Sequence, residues 1–506
     1  MTAPADSRCA ALARRCVPLL ALLVMLWDAA SLLLRASRSF FWYDELMTFH
    51  LSSLHPFAAI WKALQLGVDG MPAGYYLFVQ WARQLPADPH VTLRLPSLLG
   101  YLLTLACVYW FARKRLPAAA GLAAVLLVSL SPFREFAVEG RSYALLVGCL
   151  AVAAVCWQEL GERRMMTPLF GLFLTLAVAC HPLAIVTLSC FVMAELAWSL
   201  SSRRVRWGAW CACAVATAPF WLGLPGLLHY RVAFAGHFWS RSKLTFILST
   251  YADYLVLDPT AALVLLAVIG IAVGGVAVGC FSRRGAAPAG AGFTSPEIVL
   301  IASFLFYPVL LVSLTTLLGA GYTSRYGWPG ILGLSLGLLY LLRGIWAGPV
   351  AAQLIAALLL AFAVRCGREL QAAVKPAPPM EARWLHLTQL SRGEPGIPVV
   401  IGSGMTYLEA AKYASSELRP RLLEVIGPVE AARLTSGDTV DRANLLLSRY
   451  TPLRVELRAS FEAAHPRFLF YSGGGSDWMT PYLLERKYSM RLLAKDAGFL
   501  VYLAER

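Results

Sequence analysis

Long apolar runs, broken at short intervals by clustered arginines, fill the first 370 residues of the chain. A helix needs roughly 20 residues to cross a hydrocarbon core of about 30 Å. Runs of that kind are predicted near 17–35, 95–112, 117–133, 142–159, 167–181, 183–200, 207–227, 260–281, 297–319, 328–342 and 348–364. The pattern predicts a polytopic α-helical membrane protein with about 11 transmembrane helices. The segment 74–81 is too short to span, and with Trp61, Tyr75, Tyr76 and Trp81 nearby the stretch 56–85 reads as helices lying at the interface.

The pattern changes near residue 370: 371–506 carries 31 charged residues, against 42 in the much longer stretch before it. Residues 1–365 therefore read as the membrane domain, with a long first outer loop at 36–94. Residues 366–396 read as a linker, since Pro376, Pro378 and Pro379 cannot continue a helix. Residues 397–506 read as a small C-terminal α/β domain. The apolar runs 397–402 and 468–471 predict buried strands, 405–415 and 480–490 predict helices, and 491–503 predicts a strand pair around Asp496–Gly498. Gly473, Gly474, Gly475 and Ser476 could cradle an anion, or form a plain loop after a strand.

Composition supplies the solvent. The chain is 58% hydrophobic and 14% charged over 506 residues, with a mean hydropathy of +0.62. A water-soluble core does not keep growing to that size, so the excess apolar surface belongs in lipid. The net charge of +15 comes from basic residues that punctuate apolar runs, not from one stripe, so no nucleic-acid partner is expected. Arg14-Arg15, Arg113-Lys114-Arg115, Arg163-Arg164, Arg203-Arg204, Arg283-Arg284 and Arg343 fall on one side of the alternating connections. The positive-inside rule makes that side cytoplasmic. The N-terminus is then cytoplasmic, its apolar run an uncleaved anchor, and the C-terminal domain lies outside the cell membrane. A high Ala, Arg and Leu content with short cytoplasmic loops suggests a bacterial inner membrane. The 11 cysteines lie almost wholly in the spans, none follows Cys366, and they read as small apolar residues.

Charges beside a membrane are few and often functional. On the outer side they cluster. Phe41-Trp42-Tyr43-Asp44-Glu45 follows the first span, and two adjacent carboxylates among aromatics favour proton acceptance. Adjacent residues do not share a face, so one can meet a substrate while the other orients a neighbour. A solvated loop with an aromatic belt is the plain alternative. Arg134-Glu135 through Glu139-Gly140-Arg141-Ser142-Tyr143 forms the second cluster, and Tyr322-Thr323-Ser324-Arg325-Tyr326 the third. Arginine there can clamp a phosphate, or snorkel to headgroups. The loop 228–259 is a long fourth candidate, and His181 sits at the outer end of a span. His50 and His55 with Asp44 give only a weak metal pattern, and Asp28 within the first span can pair with another span.

In combination, the acidic loop, Leu93-Arg94-Leu95-Pro96-Ser97-Leu98-Leu99, Glu139-Gly140-Arg141-Ser142-Tyr143-Ala144-Leu145, His181 and Ser324-Arg325-Tyr326 resemble the GT-C superfamily of integral-membrane glycosyltransferases. The branch they resemble holds the protein mannosyltransferases, aminoarabinose transferases and RgtA/B/C/D-like enzymes. The resemblance covers about residues 15–345. It departs at Asp69-Gly70-Met71-Pro72-Ala73-Gly74-Tyr75-Tyr76, where relatives often carry His-Pro-Pro-Leu-Tyr. It implies transfer of a sugar from a polyprenyl-phosphate carrier to a glycan, lipid or protein acceptor on the outer face, with inversion. It also implies Asp44, Glu45 and Glu139 as catalytic residues, and Arg141, Arg325 and Tyr326 at the donor phosphate. Tyr43, Tyr143 and His181 would contact substrate. No cofactor is indicated, no metal ligands are assigned, and a divalent metal is left open. The alternative from another class is a multi-span transporter or flippase of a lipid-linked or anionic substrate, which would show repeated halves and charges near the midplane.

Overall fold

The structure is a computed structural model that describes residues 4–163, 165–234, 240–255, 270, 292–344, 346, 349–375, 379, 382–435, 437–473, 477–496 and 499–506. The predicted span 260–281 apart from residue 270, the pair Arg283-Arg284, Arg164, and Gly474 to Ser476 lie outside the described residues. The other predicted spans fall on helices, among them Pro4–Arg38, Pro89–Arg113, Ala118–Leu130, Tyr143–Gln158, Met166–Cys180, Ala184–Ser202, Ser295–Leu317, Gly330–Leu341 and Pro349–Val374. Of the described helices, 6 are long and apolar enough to cross a membrane, and 7 if the bent pair Ala118–Leu130 and Pro132–Val138 counts as one span. Tyr143–Gln158, Met166–Cys180 and Gly330–Leu341 are shorter apolar helices. The chain is a multi-pass membrane protein.

Contacts divide it into two compact units. The first comprises Met1–Arg38, Trp81–Leu222 and Ser242–Lys375. The second comprises Ser39–Gln80, Gly223–Arg241 and Pro376–Arg506, so the acidic loop groups with the C-terminal domain.

In the first unit, glycine decides the closest helix crossing. A Cβ on Gly100 would lie 2.3 Å from Leu145 Cα, and one on Gly148 would lie 2.4 Å from the Gly100 carbonyl oxygen. Only two glycines let the Pro89–Arg113 and Tyr143–Gln158 helices touch backbone to backbone. A buried ion network binds the first helix to the last. Asp28 is fully buried and accepts from Tyr101 Oη at 2.7 Å, Ser129 Oγ at 2.6 Å, Arg134 Nε at 3.0 Å and Arg365 Nη2 at 2.5 Å. Glu369 takes a second bond from Arg134, at 2.8 Å. A carboxylate in a span needs partners of this kind, because lipid offers none. Two arginines at other helix ends are paired as well: Arg115 with Glu297 at 2.9 Å, and Arg206 with Glu195. The described cysteines are free thiols.

The second unit carries a 6-stranded sheet in the order β3-β2-β1-β4-β6-β5. Its strands are β1 (Val399–Ile401), β2 (Leu422–Ile426), β3 (Val455–Leu457), β4 (Arg467–Ser472), β5 (Ser489–Asp496) and β6 (Phe499–Glu505). The first four run parallel, joined by helices that include Gly404–Tyr413, Thr439–Ser448 and Arg458–Ala464, and the β5–β6 hairpin adds antiparallel strands. Val400, Leu423, Val425, Phe461, Phe468, Phe470, Trp478 and Tyr482 form its core. The predicted strands at 397–402 and 468–471, the helix at 405–415 and the terminal strand pair are all present, while the sequence pattern did not reveal β2 and β3. The strand order reverses between β1 and β4, which is where open α/β sheets bind ligands. Here the position is taken by the protein itself. Asp477 accepts from Gly473 N at 2.9 Å, Ser472 Oγ at 3.1 Å and Thr480 N at 3.0 Å, and a Cβ on Gly402 would meet it at 2.7 Å. The Gly473 amide is therefore spent on an internal carboxylate, which argues against the anion cradle as far as the described residues go.

Candidate active site

In the first unit, three segments distant in sequence meet. The Ala118–Leu130 helix ends at Ser131, and the chain turns by 68° into the short helix Pro132–Val138. Arg134 and Glu135 are used structurally, in the Asp28 network and in an ion pair with Arg35. The chain is then extended at Glu139, and Arg141 N donates to the Glu139 carbonyl at 2.8 Å. Ser97 Oγ donates to the Arg141 carbonyl at 2.7 Å, while Arg94 Nη1 donates to the Ala36 carbonyl at 2.6 Å. The Leu93–Leu99 motif thus fixes the Glu-Gly-Arg-Ser loop and the end of the first span. That is a physical reason for the two motifs to occur together.

The ring of Tyr143, at the first turn of its helix, lies 5.8 Å from that of His181 and 6.1 Å from that of Tyr326. His181 and Tyr326 are 5.2 Å apart, and the Arg325 guanidinium carbon sits 5.8 Å from the centre of the Tyr143 ring. His181 terminates the Met166–Cys180 helix, is 2% exposed, and its Nδ1 accepts from Leu183 N at 3.2 Å. A neutral ring then carries its proton on Nε2. The Ser324–Gly327 turn is seated on the Phe246–Leu255 helix. Thr250 and Tyr322 hydroxyls share a hydrogen bond of 2.8 Å, Tyr254 Oη donates to the Gly327 carbonyl, and a Cβ on Gly327 would lie 2.6 Å from Thr250 Cγ2. The structure therefore brings Tyr143, His181, Arg325 and Tyr326 together, with Glu139 and Arg141 on the loop that leads into Tyr143. A guanidinium beside aromatic faces and a helix N-terminus is a set that can hold a phosphate or an oxyanion and stack a sugar ring.

In the second unit, the acidic loop opens the helix Tyr43–Ser52. The two adjacent carboxylates separate in role. Glu45 is 1% exposed and accepts from the Trp42 amide at 3.2 Å, so it closes the first turn. Asp44, one residue earlier, is partly exposed. Tyr43 Oη donates to Asn444 Oδ1 at 3.2 Å. Burial of its hydroxyl end raises the Tyr43 pKa well above the ordinary value, and the nearby charges of Glu424, Asp44, Tyr230 and Asp69 raise it further. Tyr43 therefore stays protonated and acts as a donor. Burial, then Asp441, raises the Glu424 carboxyl well above the usual range; burial pushes the Asp441 carboxyl up to about 7.

Asp69, which accepts from Tyr76 Oη at 2.6 Å, belongs to this neighbourhood. Sequence reasoning passed it over as the point where a histidine is missing. Tyr230 is close because Gly67 and Gly70 leave it room: a Cβ on Gly67 would lie 2.8 Å from Tyr230 N. Asn444 and Glu424 carried no signal, since both lie in ordinary helix and strand patterns. Among the described residues, no group of three or more His, Cys, Asp or Glu side chains is placed to hold a metal ion, and His55 Nδ1 faces Gln80 Nε2 at 3.2 Å.

No protein-family model matches the sequence, and no curated protein is close enough to match it. Solved structures do. ArnT from Cupriavidus metallidurans in the apo state superposes with a TM-score of 0.56 at 12% identity, over 95% of this chain and 97% of that one. The same protein bound to undecaprenyl phosphate gives 0.55 at 14% identity, over 96% and 97%. The oligosaccharyltransferase AglB from Archaeoglobus fulgidus, in complex with an inhibitory peptide and a dolichol-phosphate, gives 0.41 at 11% identity, over 96% and 74%. The ArnT match shows that the chain has the GT-C membrane fold, with the small sheet domain at its C-terminus.

Proposed function

We propose that the chain is a membrane glycosyltransferase that takes a sugar from a polyprenyl-phosphate carrier and passes it to a glycan, lipid or protein acceptor on the outer face of the membrane. The observation that carries the reading is the convergence of Arg325, Tyr326, His181 and Tyr143 from three distant segments. It is supported by the fold shared with ArnT, which has been seen with undecaprenyl phosphate.

In the reaction we assign, an acceptor hydroxyl attacks the anomeric carbon from the face opposite the phosphate. The bond from that carbon to the phosphate oxygen breaks, and its electron pair leaves with the carrier phosphate. Asp44 takes the acceptor proton, and the sugar inverts. Arg325 and Arg141 neutralise the departing phosphate, where positive charge lowers the barrier most. Tyr143, His181 and Tyr326 hold the sugar and phosphate in place, and Glu139 borders the same loop. Glu45 keeps the first turn closed, and Tyr43 donates and does not act as a base. The N-terminus is cytoplasmic in this scheme, and the C-terminal α/β domain, residues 397–506, lies outside.

The test is release of carrier phosphate from radiolabelled polyprenyl-phosphate sugars by protein in liposomes, with Asp44→Asn beside the wild type. Release by the wild type and at least a hundredfold less by the variant is expected, the scale of a lost general base. Equal rates would remove Asp44 from the mechanism. No release with retained binding would favour a transporter, and vesicle translocation would then be measured.

A further inference from the structure

We infer that the C-terminal α/β fold holds the acidic loop in register through two hydrogen bonds, Phe41 N to Tyr413 Oη and Tyr43 Oη to Asn444 Oδ1, which makes Tyr413, Asn444 and Glu424 positioning residues for the Asp44 carboxylate. The inference rests on the reading of Asp44 as the base.

The first bond is 2.8 Å and buried; the second is 3.2 Å. They grip the chain at positions 41 and 43, immediately before Asp44. Tyr413 ends the Gly404–Tyr413 helix, and its ring meets Phe40 edge-on at 5.1 Å and Phe41 at 6.5 Å. Its neighbour Lys412 places its ammonium 3.8 Å from the centre of the Phe49 ring, two turns along the Tyr43–Ser52 helix. One helix end thus holds both the entrance and the body of the acidic segment.

Asn444 could in principle present either end of its amide to Tyr43. Its surroundings choose. Nδ2 donates to the Gly404 carbonyl at 3.1 Å and to the Glu424 carboxyl at 2.9 Å, so both of its protons are used. Oδ1 therefore faces Tyr43, which must donate. Asn444 is fully buried and Glu424 is 2% exposed, so neither can turn to water for another partner. Gly404 makes this possible: a Cβ there would lie 2.3 Å from Glu424 Oε1 and 2.9 Å from Asn444 Nδ2. Strand β2 supplies Glu424, the Thr439–Ser448 helix supplies Asn444, and the first residue of the Gly404–Tyr413 helix supplies Gly404. The parallel sheet is in this sense the mount for the loop.

Hydrogen exchange of the full-length protein tests the clamp without reference to catalysis. Tyr413→Phe and Asn444→Ala should each speed exchange of amides 41–46 by about tenfold, the scale of one lost buried hydrogen bond. Amides of β4 should keep their wild-type rates, which shows that the sheet is intact. Unchanged exchange at 41–46 in both variants overturns the inference, whatever the transfer assay gives. Kinetics supply the second arm. Tyr43→Phe and Asn444→Ala should each lower kcat with donor KM unchanged, and the double variant should lose no more than the poorer single one. Glu424→Gln, which keeps a carbonyl acceptor for Asn444, should retain kcat. Multiplicative losses in the double variant, or an inactive but folded Glu424→Gln, overturn the positioning role. A wild type that transfers nothing, with the exchange response intact, removes the glycosyltransferase reading and leaves the clamp standing.

Discussion

Ser97 and Arg141 are joined by a buried hydrogen bond of 2.7 Å from the serine hydroxyl to the arginine carbonyl, across 44 positions of sequence. Ser97→Ala removes the donor and leaves that carbonyl without it, at a cost of about 1–2 kcal/mol. The expected outcome is a small loss of thermal stability in detergent and a larger loss of transfer, because the loop carrying Glu139 and Arg141 loses its anchor. A kcat within twofold of wild type would show that the bond only packs the helices.

The Gly100 and Gly148 crossing makes a sharper forecast. Gly100→Ala drives a methyl group to 2.3 Å from backbone, which cannot move without parting two helices. Little folded protein should be recovered, as judged by gel filtration in detergent. Gly337→Ala is the control, since its Cβ would meet only Ile301 Cγ2 at 3.6 Å. That variant should be as stable as the wild type or up to about 1 kcal/mol more stable, by helix propensity.

These two cases also show how far the sequence could be read. Apolar runs and arginine clusters are one-dimensional signals, so the helices, the change of character near 370 and the strands around 399 and 470 were legible. Tyr143, Arg325, Tyr326 and His181, singled out from the sequence, do fall together in the structure. Asn444, Glu424 and Tyr413 were not. Each reaches the loop through a contact across more than 370 positions or through a shared partner, and nothing in their own neighbourhoods records it. Glu45 and Asp44 look alike as letters. Only the helix start separates the buried residue that caps from the residue that stays partly exposed.

Asp28 offers a stability test inside the membrane. Asp28→Leu leaves the Arg365 side chain facing an apolar group and takes one partner from Arg134. Breaking a buried pair in this way costs about 3–5 kcal/mol. Arg134 keeps Glu369 at 2.8 Å, whereas Arg365 keeps it only at 3.5 Å, so adding Arg365→Met should recover part of the loss. Thermal unfolding of both variants decides it; a double variant no better than Asp28→Leu would put the cost in packing instead of charge.

The buried carboxyls of the sheet domain set a pH dependence. Burial raises both Glu424 and Asp441, the latter from 3.8 to about 7. The folded form therefore binds more protons than the unfolded form between those values, and stability falls as pH rises through that window. The penalty at pH 8 is on the order of a few kcal/mol. Trp478 donates to Asp441 at 2.8 Å, so tryptophan fluorescence can follow unfolding of this domain. Its midpoint should be lower at pH 8 than at pH 5.5, and Asp441→Asn should flatten the difference. A midpoint that climbs from pH 5.5 to pH 8 would contradict the protonation of the pair.

The second compact unit is assembled from three separate stretches, the last of which begins at Pro376. A ribosome makes Asp44 early and Tyr413 and Asn444 hundreds of residues later. During that interval the acidic segment is already past its span but lacks the side chains that seat it. A chain halted before residue 444 would hold every donor-side residue proposed here and still have an unseated base. The proposed base is thus among the first residues of the chain to be made and among the last to be seated.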